Sequence, residues 1–315
     1  MLSARAEPPA DRGAGSPPPW GRDAGPDAVV AWAPAKVNLT LEVTGKRPDG
    51  YHAIETLMVA VDLFDTIEIR RADAGVLSLT CDPPTVPADG RNLVYRAAAA
   101  LRERFAPAAG AAIRLVKRIP HEAGLGGGSS DAATTLLALD RLWRLDRPPA
   151  ELSELAAGLG SDVPFFLAPP AGWCTGRGEV VEPAAVGRPL DLVIVKPAAG
   201  CPTADVYRRV AVPHQPADGT PARDALRAGD VDALGGRLFN RLRGPAFAVA
   251  PAVEAAYRRL LAAGPAGCQV SGSGSAVFAL CRDRRDAVRV AQAVRAAPPP
   301  GDAPPRVFVV RSWPQ

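Results

Sequence analysis

Four glycines fall within five positions in PHEAGLGGGSSDAATT, residues 120–135. Ordering glycine costs backbone entropy, so a cluster must serve a conformation or an approach that other residues deny. Residues 113–119 read as a strand. Residues 130–143 read as a helix, with Ala133, Leu136, Leu137 and Leu139 at apolar positions. A strand, then glycines, then a helix N-terminus is an anion-binding arrangement. The free N–H groups of the first turn point outward, and the helix dipole favours negative charge. Glycines admit a phosphate to the backbone, and Ser129 and Ser130 add hydroxyl donors and a helix cap. A tight connection with an ordinary serine cap is the alternative, but one glycine would suffice for it. Two common phosphate loops are excluded. Walker A needs a lysine after its last glycine, and here Ser129 follows Gly128. The dinucleotide pattern G-x-G-x-x-G fails because Gly124 and Gly126 are followed by serine at 129.

With 315 residues the chain has room for two domains. A hydrophobic fraction of 47% and a charged fraction of 22% suit a soluble globular protein. No stretch nears the roughly 20 apolar residues of a membrane span, and the N-terminus lacks the apolar run of a secretory leader. The five cysteines lie far apart and form no C-x-x-C pair, so they predict reduced thiols and a cytoplasmic protein. Net charge is +4 with the signs mixed, which argues against the basic stripe of a nucleic-acid binder. His52, His121 and His214 are not paired at ligand spacing, so no protein-held metal is expected.

Residues 1–27 are rich in Pro, Gly and Ala and read as a disordered tail. In residues 35–43, Val37, Leu39, Leu41 and Val43 alternate with Lys36, Asn38, Thr40 and Glu42, which predicts a half-buried strand with Lys36 and Asn38 on one polar face. RPDG at 47–50 is a turn signal. Asn92 is placed to cap a helix running to about residue 105. Lys117 shares the parity of Ile113, Leu115 and Ile119, so it either snorkels or reaches a ligand. A second helix is expected over 150–159, and a buried strand at 190–195 opens a second region. Helices are expected near 203–210, 224–237 and 251–263, and a strand over 276–281. Without strict βαβ alternation, the class is α+β.

Six segments carry a family likeness, in order. They are PAKVNLTLEVTGKRPDGYH at 34–52, IPHEAGLGGGSSDAA at 119–133, GSDVPFFL at 160–167, GRGE at 176–179, PTADVY at 202–207 and SGSGSAVF at 271–278. Together they resemble the signatures of the GHMP small-molecule kinases, from about residue 29 to near the C-terminus. Within that family they are most similar to the branch acting on a cytidine-diphosphate-linked methylerythritol in the non-mevalonate route to isoprenoids. The resemblance implies a two-domain GHMP kinase fold, with an N-terminal domain like the second domain of ribosomal protein S5 and a ferredoxin-like C-terminal domain. It divides the chain at 28–189 and 190–315, and it implies ATP as co-substrate with Mg²⁺ held mainly through the phosphates. A monomer or homodimer with a small-molecule substrate is expected, with no nucleic-acid or membrane partner. One departure stands out: FNRLRGPA at 239–246 has arginines where the family often shows N-D-L-E. Asn240 remains, and a structural role as a helix cap is expected for it.

The resemblance also suggests roles. Asp162 is the candidate base, an N-cap being the other reading of a Ser-Asp pair, and Lys36 sits beside it to hold it ionised and offset developing charge. Tyr51 and His52 follow the turn. An exposed loop aromatic suits base stacking, and by resemblance Tyr51 stacks on cytosine while His52 meets its edge. Tyr207 lies across the same base, although both tyrosines could be amphipathic packing residues. Asn38 is expected at the acceptor, and Asn92 and Lys117 near the adenine. Gly124, Leu125, Gly126, Gly127, Gly128, Ser129 and Ser130 are expected to cradle ATP, with Ser130 the candidate Mg²⁺ ligand. Gly272, Ser273 and Gly274 form a second loop that closes over phosphate or substrate, or simply a tight turn. Two other readings stay open: a GHMP kinase for mevalonate, homoserine or a sugar, against which the DGYH turn and Tyr207 argue, and an inactive nucleotide-binding regulator, against which Lys36 and Asp162 argue.

Overall fold

The computed structural model describes residues 21–167, 170–296 and 304–312. A long hairpin forms its spine. β1 (Gly21–Asp23) leads into β2 (Ala28–Lys46), which turns back into β3 (His52–Ala72). The RPDG turn closes it: Gly50 N–H donates to Arg47 O at 3.1 Å, with φ +86° at Gly50, where a Cβ would be strained. Next come β4 (Leu77–Asp82), α1 (Leu93–Phe105), β5 (Gly110–Val116), α2 (Gly127–Trp143) and α3 (Pro149–Leu159). A 3-10 turn at Pro164–Leu167 precedes β6 (Ala171–Thr175) and β7 (Val180–Pro183). The remaining elements are β8 (Asp191–Lys196), α4 (Thr203–Tyr207), α5 (Thr220–Ala228), α6 (Val231–Gly235), β9 (Phe239–Asn240), α7 (Arg243–Val249), α8 (Pro251–Ala262), β10 (Gly267–Val270), β11 (Val277–Cys281), α9 (Arg284–Ala296) and β12 (Arg306–Arg311).

The class is α+β, with two sheets. The first runs β1-β2-β3-β5-β4, with β6 and β7 extending from β3 and β9 lying parallel to β2. The second is antiparallel, in the order β10-β11-β8-β12. One core lies between the first sheet and α1 to α3, where Ile67, Leu101, Leu136 and Phe165 meet. A second joins the two sheets, setting Val37, Leu39 and Leu57 in one cluster with Ile194 and Phe278. A third packs α8 and α9 on the second sheet through Val195, Leu260 and Val290. Although β8 opens the second sheet at Asp191, the later β9 returns to the first, so the two halves interlock.

Three expectations need correction. The strand over 35–43 is buried on both faces: Lys36, Asn38, Thr40 and Glu42 are as buried as the apolar residues between them. Partners from later segments cover that face, and alternation of polarity reports what a face contacts rather than whether water reaches it. The tail reading spans residues 1–27, of which 1–20 lie outside the described residues. Gly21–Asp23 pairs with residues 29–31 as a strand, and Arg141 makes two 2.8 Å bonds to Asp23. The strand at 113–119 stops at Val116, because Asp65 takes the N–H groups of Arg118 and Ile119 out of the ladder.

Lys117 does not snorkel. Its ammonium pairs with Asp65 and, at 2.7 Å, with Asp131 on α2. Burial opposes that charge, but the two carboxylates win and raise the lysine pKa. Burial, then the charge of Asp65, raise the Asp131 carboxyl well above the ordinary range. The cluster ties β3, the end of β5 and the start of α2. Asp65→Ala would strip Lys117 of one of two counter-charges and orphan two backbone donors. It is expected to cost about 3–5 kcal/mol, read as a lower urea midpoint. An unchanged midpoint would show that Asp131 alone suffices.

Candidate active site

The polar row of β2 is where the site begins. Lys36 Nζ donates to Asn38 Oδ1 at 2.6 Å, and Asn38 Nδ2 donates to Thr56 Oγ1 at 2.8 Å. Thr56 Oγ1 in turn donates to Thr40 O at 2.6 Å. This chain fixes the lysine stem. Its ammonium lies 3.4 Å from Asp162 Oδ2, the lysine side chain 3% exposed and the aspartate 32%. The cation is thus desolvated while the carboxylate still reaches solvent. Asp162 stands just before the 3-10 turn, where Val163 N–H donates to Gly160 O at 3.2 Å.

The glycine stretch lies directly on this strand. Lys36 N–H donates to Leu125 O at 2.9 Å. Gly126 takes φ +69° and is the residue before α2, so the two serines fall inside the first turn and do not cap it. A Cβ on Gly126 would stand 2.8 Å from Phe166 Cζ and 3.0 Å from Lys36 Cγ. A Cβ on Gly124 would stand 2.0 Å from Ser271 O. These two glycines therefore answer first to the protein's own packing, Gly124 to the second glycine loop and Gly126 to Phe166 and the Lys36 stem. Ser271 Oγ donates to Gly124 O at 2.8 Å, and Ala276 N–H donates to Ala123 O at 3.0 Å.

An aromatic group lines the same cavity as the ion pair. Tyr51 is 55% exposed, with the Arg177 guanidinium 5.1 Å from its ring centroid. His52 and Tyr207 face one another at 5.2 Å and 31°. Burial, helped by the Lys46 charge, lowers the His52 pKa, so its imidazole is neutral at pH 7. Burial and then the charge of Asp162 raise the Tyr207 phenol, which stays protonated. One cavity of about 910 Å³ is lined by the ion pair and by these aromatic residues.

That cavity brings together Lys36, Asn38, Tyr51, His52, Asp162 and Tyr207, with Gly124, Gly126, Gly272 and Ser273 on its wall. Other expected residues stand off it. Asn92 caps α1, accepting from Val94 N–H at 2.9 Å and donating to Pro87 O at 2.7 Å. Lys117 lies behind the glycines, 3.2 Å from where a Cβ of Gly127 would be, and Leu93, next to Asn92, lies 3.6 Å from that of Gly128. Leu125 and Ser130 are buried, Ser129 is half-buried, and Gly274 packs beside Cys201. Asn240 holds the second loop, donating to Val270 O and Gly272 O, both at 2.8 Å, besides accepting from Leu242 N–H. Sequence reasoning assigned nothing to Lys46, Arg177 or Arg208, whose cations also line the cavity. For Arg177 there was a signal, an arginine set between two glycines in GRGE.

A fold of this kind with a lysine–aspartate pair beside two glycine loops is that of a small-molecule kinase. The family described as GHMP kinases N terminal domain matches residues 92–168, and GHMP kinases C terminal matches residues 222–299. The chain belongs to the 4-diphosphocytidyl-2-C-methyl-D-erythritol kinases of the GHMP family. The kinase of that name from Pelotomaculum thermopropionicum is 44% identical over 85% of this chain and 94% of its own length. That from Exiguobacterium sibiricum is 40% identical over 85% and 94%. A crystal structure of 4-(cytidine 5'-diphospho)-2C-methyl-D-erythritol kinase superposes with a TM-score of 0.76 at 37% identity, over 90% of this chain and all of that one. The homoserine kinase of Cytophaga hutchinsonii, 20% identical with a TM-score of 0.67 over 93% and 96%, shares the fold.

Gly126→Val sets a branched side chain against Phe166 and the Lys36 stem at a positive φ. Overpacking of about 1–3 kcal/mol, if released by displacing this turn, corresponds to roughly 5- to 150-fold weaker ATP binding. Calorimetry on folded protein reads it, and an unchanged affinity would separate this turn from the nucleotide.

Proposed function

We propose that this chain transfers the γ-phosphoryl group of ATP to the 2-hydroxyl of 4-diphosphocytidyl-2-C-methyl-D-erythritol, in the methylerythritol phosphate route of isoprenoid and terpenoid biosynthesis. The observation that carries the reading is one cavity lined both by the Lys36–Asp162 pair and by Tyr51, His52 and Tyr207. A cytidine-linked alcohol needs both sets, a place for its base and a base for its hydroxyl. A mevalonate or homoserine would leave the aromatic set unused.

In this reading Asp162 accepts the proton of the acceptor hydroxyl. The oxygen then attacks the γ-phosphorus, the bond to the β-phosphate oxygen breaks, and ADP leaves. Lys36, desolvated and pinned by Asn38, pairs with Asp162 and offsets charge on the acceptor oxygen. The N–H groups of the first turn of α2, with Ser129 beside them, suit the phosphates; the first intrahelical bond there runs from Ser130 N–H to Gly126 O at 2.8 Å. Lys117 and Leu93, the neighbour of Asn92, border this turn, and an adenine beyond it would meet their neighbourhood. Mg²⁺ enters on ATP, its ligands mainly phosphate oxygens and water. Ser130 remains the candidate protein ligand, because its hydroxyl is buried without a hydrogen-bond partner among the described residues. No group of three or more His, Cys, Asp or Glu is placed to hold a metal among the described residues.

The setting we propose is cytoplasmic, as a monomer or homodimer without nucleic-acid or membrane partners. All five cysteines are free, and burial pushes Cys174 and Cys281 up to about 12, as suits unreactive thiols. Among the described residues no helix is long and apolar enough to cross a membrane.

An ATP-consumption assay over a panel of alcohols tests the assignment, and turnover of mevalonate or homoserine in preference to the cytidine-linked alcohol would replace it. Asp162→Asn keeps shape and removes the base, so kcat should fall at least about a hundredfold while both substrates still bind. Near-normal turnover would leave the reaction without its base. Tyr51→Ala removes a stacking face worth about 1–3 kcal/mol, so the acceptor KM should rise roughly 5- to 150-fold with ATP KM unchanged. Equal effects on both substrates would place Tyr51 elsewhere.

A further inference from the structure

We infer that the Glu42–Arg241 ion pair is a positioning device for the acceptor pocket, holding its roof and its second glycine loop from one buried carboxylate. Glu42 ends the polar row of β2 that begins at Lys36, and its side chain is almost entirely buried. Four donors converge on it. Val43 N–H and Arg241 Nε reach Oε1, both at 2.8 Å; Arg241 Nη2 at 2.7 Å and Ala217 N–H at 2.8 Å reach Oε2. Burial raises the carboxyl, but the arginine and the two backbone donors outweigh it and leave the pKa below the usual range. The guanidinium is further fixed 4.9 Å from the Phe239 ring centroid.

Two of the donor residues, Ala217 and Arg241, tie Glu42 to different walls of the cavity. Ala217 lies in the connection between α4 and α5, whose Arg208, Val210 and Val212 line the cavity. Two residues on, a Cβ at Gly219 would stand 2.6 Å from Trp173, so this connection lies flat on the first sheet. Arg241 follows Asn240, whose amide holds Val270 O and Gly272 O, and Gly272 and Ser273 are cavity wall. Arg241 N–H also donates to Leu41 O at 2.8 Å, next to Glu42 itself. The planar fork of an arginine serves both carboxylate oxygens while leaving a second lone pair of Oε2 for Ala217 N–H. An acidic side chain at 241 would put two carboxylates together, so the arginine departure in FNRLRGPA works here because Glu42 waits opposite.

The inference rests on the acceptor reading above, and steady-state kinetics with ATP and the cytidine-linked alcohol separates the two. If wild-type protein does not turn that alcohol over, the functional reading fails. Arg241→Met leaves a buried charge and risks unfolding, so the deciding variant is Glu42→Met with Arg241→Met, which removes both charges and keeps an apolar fit. We expect it to fold with a melting midpoint lowered by the loss of the acceptor for Val43 and Ala217 N–H, and its acceptor KM to rise about tenfold with ATP KM and kcat changed less than about threefold. Arg241→Lys, which keeps the charge and loses the fork, should fall between. An acceptor KM within about twofold of the parent in the folded double variant overturns the inference. So does a pure loss of kcat at unchanged KM, the signature of a smaller active fraction.

Discussion

Four polar side chains at alternate positions of one strand are almost wholly buried, and most of the architecture follows from satisfying them. A buried polar group without a partner is costly, and a buried charge more so. Lys36 finds Asn38 and Asp162, and Asn38 finds Thr56. Thr40 accepts from Leu57 N–H at 3.1 Å, and Glu42 takes Arg241 and Ala217. These partners come from β3, the turn after α3, the α4–α5 connection and β9. The row on β2 thus dictates where four separate segments must stop, and the cavity is the space left between them.

The electrostatics of that space match the reading of its occupant. Besides Lys36, its wall carries Lys46, Arg177 and Arg208, against Glu122 and Asp162. A substrate with a diphosphate linker and a triphosphate co-substrate both bring negative charge to a rim of cations. The cluster of Lys117, Asp65 and Asp131 lies behind the glycine turn and is turned inward, its lysine charge already matched by carboxylates. The two sets of lysines therefore do different physical work: one is open to anions, the other fastens the turn.

Local patterns carried much of the fold. The RPDG turn, the Asn92 cap, the helices after the glycines and the buried strand near 190 all rest on short-range chemistry, and each appears where that chemistry puts it. Six side chains named from motifs far apart in the chain, Lys36, Asn38, Tyr51, His52, Asp162 and Tyr207, converge on one cavity. The misses share a cause. Alternation on β2 could not say that its polar face would be covered by residues some 200 positions later, such as Arg241. Nothing local marked Asp65 as the carboxylate that captures Lys117 from 52 positions away. The glycines looked like an accommodation to phosphate alone because the second loop, which presses on Gly124, lies near 271.

The short strand β1 has a bearing on the solution behaviour of the whole molecule. It covers residues 29–31 of β2, where Val29 and Ala31 are buried, and it is fastened by the Asp23–Arg141 pair and by Arg22, 5.9 Å from the Trp32 ring centroid. An uncovered strand there would present unpaired N–H and C=O groups beside apolar side chains, a template for pairing with another chain. Three residues, two of them charged, occupy that template first. The N-terminal segment thereby serves as a guard against edge-to-edge association, a task for which a few residues of ordinary composition are enough.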